Sequence, residues 1–315
     1  MRICVTGGNG FIGAWLVGRL LAEGQHVRVL DLNQPGPLMR LVAGDALSRV
    51  EWLEGDGSDS KTVENAMKGC DAVAHFAGVL TPFCQRDPVR GAMINVIGTL
   101  NVFESARLHG VARVVYTSSA GVFGPEHTRY PEPTTHYGAF KLANEACARS
   151  YWVNREPGSN LASVGFRPFV VYGPGRDQGA SAGVSLACRA AAFGERYTVP
   201  FTGRTGMVHV DDVVDAYWAA LTRKLEGAHV FNLAGEVHST EALIEEIQRQ
   251  VPNAQLDAVG APLQIAADMP ADDLHQVLPG LLQTSLRDGV ARTLAFFAQQ
   301  AACDNRAAAS SLQAN

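Results

Sequence analysis

The chain has 315 residues, 47% hydrophobic and 18% charged, with a formal net charge of -5. That balance is enough for one large or two modest globular domains without metals or disulfides, and with no basic block it gives no electrostatic support for binding nucleic acid. Six scattered cysteines without C-x-x-C spacing are read as small buried residues of a reducing compartment, and nine histidines without ligand spacing assign no metal. No charged segment followed by an apolar run opens the chain, and no apolar stretch of about 18 residues interrupts it, so neither a secretory leader nor a membrane span is expected and the expected location is cytoplasmic.

Strand and helix signals alternate from the start. RICVT predicts a strand, and FIGAWLVGRLLAEG carries helical apolar spacing up to Gly24. HVRVLDL and VEWLEGD predict the second and third strands, a helix follows over Lys61–Lys68, and DAVAHFAG predicts the fourth strand. One long helix fits Pro88–His109; VARVVYTSS and LASVGFRPFVV give a fifth and a sixth strand. The strands are nearly continuous Val, Ile, Ala and Phe, as in strands covered on both faces. Their alternation with helices predicts an α/β fold of Rossmann type, a doubly wound parallel sheet. After about Gly173 the rhythm loosens into a Gly-rich loop, two amphipathic helices (VDDVVDAYWAAL and TEALIEEIQRQV) and a weakly periodic run over Pro252–Pro279. The expected division is 1–172 for the sheet domain, 173–303 for a smaller mixed C-terminal substrate lobe interleaved with it, and 304–315 for a polar tail. The lobe is expected to cover the C-terminal ends of the strands, where open parallel sheets bind ligands.

The turn VTGGNGFIG joins the first strand to the first helix and sets Gly7, Gly10 and Gly13 in G-x-x-G-x-x-G. Glycines there let the backbone turn sharply and approach a pyrophosphate, while the helix N-terminus offers unpaired N–H groups. Asp31 ends the second strand 18 residues after Gly13. A carboxylate at that place would meet adenosine ribose hydroxyls and repel a ribose phosphate, which favours NAD over NADP; the alternative is that Asp31 only opens the turn DLNQPG. Asp56 could accept from the adenine amino group or cap the next helix, although Ser58 or Asp59 could fill the cap instead. HFAG ends the fourth strand with small residues where a backbone must lie close to the cofactor. In HYGAFK, Tyr137 and Lys141 stand four residues apart, on one face of a helix. The pair is either an incidental surface feature or a phenol held beside a cation.

In chain order, TGGNGFIG, Gly55-Asp56, HFAG, NVIGT (95–99), YTSSAGVFG (116–124), YGAFK, RPFVVYGPG (167–175) and VHVDDV (208–213) resemble the motifs of the extended short-chain dehydrogenase/reductase family, in its NAD-dependent epimerase/dehydratase branch. They cover most of the chain. The resemblance implies that Tyr137 is the acid/base and that Lys141 modulates it and holds the nicotinamide ribose. A free phenol titrates at about 10, and a cationic lysine together with the positive nicotinamide ring favours the phenolate. Ser119 matches the serine that hydrogen-bonds the substrate oxygen, with Ser118 the weaker match. The implied cofactor site is Gly7, Gly10, Phe11, Ile12, Gly13, Asp31, Asp56, Gly57, Phe76, Ala77, Gly78, Asn95, Thr117, Pro168 and Val170, together with Tyr137 and Lys141. The implied substrate contacts are Val79, Thr81, Ser119, Arg176, Arg204 and His209. Asn95 either holds a kink in its helix or takes part in catalysis, and Asp212 is expected to pack and hydrogen-bond.

Two departures bear on the substrate. Nucleotide-sugar epimerases of this family usually carry R-Y-F-N where this chain has RPFV, which places Val170 at the asparagine position, and the arginine before the VHVDD-type motif is displaced to Arg204. The sequence therefore leaves two activities open: net NAD-dependent oxidoreduction of a secondary alcohol or ketone on a sugar, sugar acid or similar polyol, and nucleotide-sugar 4-epimerisation (or dehydration) with transient oxidation; a third reading, a cofactor-binding regulator or scaffold without catalysis, is opposed by the intact Ser119, Tyr137 and Lys141. A homodimer is expected through helices around Gly91–His109 and Tyr137–Val153. The second of these is apolar more widely than one buried stripe needs (Phe140, Leu142, Ala143, Ala146, Ala148, Tyr151, Trp152).

Overall fold

The computed structural model describes residues 1–125, 130–156, 159–267, 269 and 272–313. Its backbone forms two units: Met1–Pro168 with Val210–Leu233 and Met269–Leu282, and Phe169–His209 with Ala234–Asp268 and Gln283–Asn315. The first unit begins with β1 (Arg2–Thr6), α1 (Phe11–Ala22), β2 (His26–Asp31), α2 (Pro37–Ala43), β3 (Glu51–Glu54), α3 (Ser60–Met67) and β4 (Ala72–His75). It continues with α4 (Thr81–Arg86), α5 (Pro88–Ala92), α6 (Gly98–Leu108), β5 (Arg113–Thr117), α7 (His136–Val153) and β6 (Ala162–Pro168). The second unit takes β7 (Val170–Tyr172), α8 (Gly183–Phe193), β8 (Tyr197–Val199) and β9 (Arg204–His209). The chain then gives α9 (Val210–Thr222) and β10 (Ala228–Leu233) to the first unit, and β11 (Glu236–Ser239), α10 (Thr240–Gln250) and β12 (Leu256–Ala258) to the second. Finally α11 (Leu274–Val277) lies in the first unit and α12 (Leu286–Gln313) in the second.

The main sheet has the order β10-β6-β5-β4-β1-β2-β3, and every pair in it is parallel. The order reverses direction between β1 and β4, the switch point at whose carboxyl edge open α/β sheets bind ligands. Aliphatic strand residues fill both faces: Cys4, Val5, Val29, Val73, Ala74, Val114 and Val115 are all buried. One face packs against α3 and α6 through Val63, Met67, Val102 and Phe103. Each such side chain contributes about 1.5–3 kcal/mol on burial. Arg28 is the polar exception on β2. Its guanidinium donates to the carbonyls of Ala66 and Lys68 at 2.9 and 2.7 Å and pairs with Glu51, closing the C-terminal end of α3. The second unit has its own core, with Tyr172, Val184, Cys188, Leu243, Ile247 and Val290 buried together.

The structure redraws several expected elements. LASVGFRPFVV is two strands rather than one: β6 pairs with β5 and β10, while β7 joins β9 in a separate three-stranded sheet. The break follows Pro168, which has no N–H to carry the ladder further. The first unit accordingly ends its leading segment at Pro168 and not at residue 172. VDDVVDAYWAAL, expected in the smaller lobe, forms α9 of the first unit and packs on α1. β10 carries only a weak alternating pattern, too weak to predict a strand. α12 is helical to Gln313, through most of the stretch read as a tail, consistent with the helix propensity of its alanines. The Pro88–His109 helix is interrupted by one π-helical turn at Met93–Ile97, with Asn95 at its centre.

Candidate active site

The glycine turn is shaped by close backbone approach. Gly7 has φ +72°, and a Cβ there would lie 2.6 Å from the backbone nitrogen of Ala77, so both conformation and space demand glycine. A Cβ on Gly13 would run into the carbonyl oxygen of Gly7, so α1 can pack this tightly on the turn only without one. Gly10 is the N-cap of α1 and supplies no side-chain cap, and the first turn of the helix holds no acidic residue. The positive dipole end of the helix, with no side-chain cap and no acidic residue in the first turn, therefore suits a pyrophosphate. Asp31 closes β2 beside this turn and accepts the backbone N–H of Asn9 at 2.9 Å. Asn9, which sequence reasoning did not single out, ties the turn to the loop after β2. Its Nδ2 donates to Asn33 and Gln34 carbonyls at 3.1 and 3.0 Å, and its Oδ1 accepts from Gly36 at 2.8 Å.

Asp59 is the N-cap of α3, accepting from Lys61 and Thr62, so Asp56 is not needed for that role. Asp56 Oδ1 accepts the backbone and hydroxyl of Ser58, both at 2.8 Å, while Oδ2 accepts Arg90 Nη2 at 2.9 Å. These hydrogen bonds, the Ser58 amide first, hold its carboxyl below the ordinary carboxylate range. Asn101 Nδ2 donates to the carbonyls of Gly57 and Ser58, fixing the loop against α6.

The catalytic candidates converge at the ends of β5 and α7. Thr135 caps α7 through Gly138. A Cβ on Gly138 would run into the carbonyl oxygen of Gly121, so a glycine lets the start of this helix press on the Ser119–Gly121 turn. A Cβ placed on Gly121 would be 3.3 Å from Ser119 Oγ and 3.9 Å from Tyr137 Cδ1, so both side chains border Gly121. Ser119 Oγ accepts the Gly121 N–H at 3.0 Å. Ser118 is engaged elsewhere: its hydroxyl donates to Glu145, whose carboxylate is held by Arg167 in a two-pronged pair.

Lys141 is buried, with Nζ 5.6 Å from the centre of the Tyr137 ring and 2.7 Å from the Thr117 carbonyl oxygen to which it donates. Burial pushes its pKa down to about 8, so at neutral pH it carries a poorly solvated positive charge close to the phenol. Gly78 passes against the same group; a Cβ there would stand 2.6 Å from Asn95 Oδ1 and 3.8 Å from Lys141 Nζ. Asn95 is fully buried. Its Oδ1 accepts from Val79 N at 3.1 Å, its Nδ2 donates to Val79 O and Cys84 Sγ, and its own carbonyl accepts from Thr99 and Asn144. It thus holds both the π-turn and the 78–79 backbone. His75 lies beneath, between Thr6 and Thr99, its pKa pushed down to about 3 by burial and then by the Lys141 charge. Phe76 packs on Tyr217 at 4.7 Å between ring centres, and the Tyr217 hydroxyl lies 2.6 Å from Thr117 Oγ1. Tyr217 is a supporting residue that the sequence did not reveal. Thr81 opens α4, and Pro168 closes β6 opposite Leu233.

The remaining candidates lie in the second unit. Val170 is buried in its core. Arg176 donates to the Val171 carbonyl at 2.8 Å and to Ser181 Oγ at 2.7 Å. Arg204 is an exposed residue of β9 opposite Ser239, and His209 is buried at the other end of that strand, edge-on to Tyr172. Among the described residues no group of His, Cys, Asp and Glu could hold a metal ion, and no helix is long and apolar enough to cross a membrane.

A glycine-capped helix N-terminus at the switch point of a parallel sheet, an acid closing the second strand, and a serine, tyrosine and buried lysine together define a dinucleotide-dependent oxidoreductase. The comparisons with known proteins narrow that class. A model of the NAD dependent epimerase/dehydratase family matches residues 3–234. The chain is 32% identical over 323 residues to the UDP-glucose 4-epimerase of Mycolicibacterium smegmatis, covering 94% of this chain and 98% of that protein. It is 30% identical over 272 residues to the 2-alkyl-3-oxoalkanoate reductase of Stenotrophomonas maltophilia, covering 83% and 77%. Among solved structures, the UDP-glucose 4-epimerase of Thermus thermophilus in complex with NAD matches with a TM-score of 0.76 at 28% identity, covering 93% of this chain and 99% of that one. The chain belongs to the NAD dependent epimerase/dehydratase family; it is an enzyme, and its cofactor is NAD.

Proposed function

We propose that the protein moves a hydride between NAD and a secondary alcohol or ketone carbon of a sugar, sugar acid or similar polyol, as a net oxidoreductase. The observation that carries hydride transfer is the buried Lys141 cation, with a pKa of about 8, beside the Tyr137 ring and the Ser119 turn. When bound, NAD supplies the hydride acceptor. Ser119 donates to the substrate oxygen, Tyr137 takes or returns the hydroxyl proton, and Lys141 favours the phenolate and holds the nicotinamide ribose. Net turnover is supported by Val170 at the position where nucleotide-sugar epimerases usually carry asparagine, and by the engagement of Arg176 within its own loop, which weakens it as a diphosphate anchor.

The second reading is a nucleotide-sugar 4-epimerase, favoured by the near full-length match to the UDP-glucose 4-epimerase of Mycolicibacterium smegmatis. Adding a panel of sugars, sugar acids and nucleotide sugars with NAD⁺ separates the two. Stoichiometric NADH absorbance with a sugar or sugar acid supports net oxidation. Conversion of a UDP-hexose without an absorbance rise refutes it and supports the epimerase. We also propose a cytoplasmic homodimer. Val89, Met93 and Ile97 recur every four residues and are exposed, which supports pairing through that helix, whereas Ala148 and Tyr151 of α7 pack into the core of their own unit. Light scattering that reports only a monomer at micromolar concentration would rule the dimer out.

A further inference from the structure

We propose that Arg90 is a positioning residue of the cofactor site, fixing the Asp56 carboxylate so that one lone pair of Oδ2 stays turned out for the amino group of the adenine base. This rests on Asp56 being the adenine contact. The carboxylate's acceptor sites are unevenly filled. Oδ1 takes two donors from Ser58, the amide and the hydroxyl, and is saturated. Oδ2 takes one donor, Arg90 Nη2 at 2.9 Å, and so keeps one place. The Asp56 side chain is 38% exposed, so that place is reachable from outside.

Arg90 is itself held at the start of α5, where its backbone N–H donates to Asp87 Oδ1 at 2.9 Å. Ser58 pins one oxygen from the loop, and Arg90 pins the other from a helix 34 residues away in sequence. Ser58 donates only to Oδ1, so of these contacts Arg90 alone bears directly on Oδ2. An exposed ion pair of this kind adds little to stability, so its removal leaves the fold intact and its effect on the cofactor can be read cleanly.

The test uses nicotinamide hypoxanthine dinucleotide, in which the adenine amino donor is replaced by a carbonyl acceptor. Its dissociation constant and that of NAD are measured calorimetrically on protein freed of cofactor, for wild type, Arg90→Ala, Arg90→Lys and Asp56→Ala, with circular dichroism and melting temperature as fold controls. The expected wild-type preference for NAD is about 10-fold, the scale of one charge-assisted hydrogen bond. Arg90→Ala is expected to reduce that preference by about 5-fold at unchanged melting temperature, and Arg90→Lys to restore part of it. A preference that Asp56→Ala abolishes but Arg90→Ala leaves intact overturns the role of Arg90 alone. A wild-type ratio near one, unmoved by Asp56→Ala, overturns the adenine contact on which the role depends.

Discussion

Replacing Lys141 by methionine keeps an unbranched side chain as far as the ε carbon and removes the ammonium. The folded protein binds the Lys141 proton less well than the unfolded chain does, because burial lowers the pKa from 10.5 to about 8. The sign follows directly: above pH 10.5 there is no penalty, it grows as pH falls toward 8, and below 8 it is complete. At pH 7 this amounts to about 3 kcal/mol of lost stability. Methionine escapes the penalty but strips the Thr117 carbonyl oxygen of its 2.7 Å donor, which costs about 1–3 kcal/mol. The variant is therefore expected to be as stable as wild type at pH 7, or up to about 2 kcal/mol more stable, while losing turnover. Urea denaturation of both proteins, freed of cofactor, gives the difference at each pH and cancels the titration of every other group. Wild type should gain about 2.5 kcal/mol relative to the variant between about pH 7 and pH 10. A difference that stays flat across that interval would refute the assignment of Lys141 as a buried, strained cation.

Tyr137→Phe is expected to lower the rate by about 10²-fold or more with melting temperature and NAD affinity preserved, and Ser119→Ala to lower the rate with little change in NAD affinity; steady-state kinetics and calorimetry check both, and near-full activity of Tyr137→Phe on the true substrate would sink the acid/base role. Asp31→Ala should narrow the preference for NAD over NADP, read by titrating both cofactors; wild-type binding of NADP as tight as NAD would contradict the role of Asp31. Glu145→Ala leaves the mostly covered Arg167 without its partner and frees the buried Ser118, and should destabilise the fold by about 3–5 kcal/mol in denaturant; a loss under about 1 kcal/mol would show that the pair is effectively solvated.

The sequence by itself determined what depends on neighbours a few residues apart. The glycine spacing, Asp31 at the end of an apolar run, and Tyr137 and Lys141 one helical turn apart were legible because strand and helix periods are short and repeat. So was the chain order of the first six strands. Tertiary structure decided the rest, because the deciding contacts join distant residues. Whether Lys141 is a surface cation or a buried one depends on the Thr117 carbonyl and the covering backbone at Gly78. That Ser118 is taken up by Glu145, itself held by Arg167, depends on contacts 27 and 22 residues apart along the chain. Arg90 meets Asp56, and Tyr217 meets Thr117 across 100 residues, with no local pattern to announce either pairing. The division of RPFVV between two sheets and the place of α9 in the first unit were likewise invisible, since an apolar strand or an amphipathic helix records that it will be buried but not against which partner.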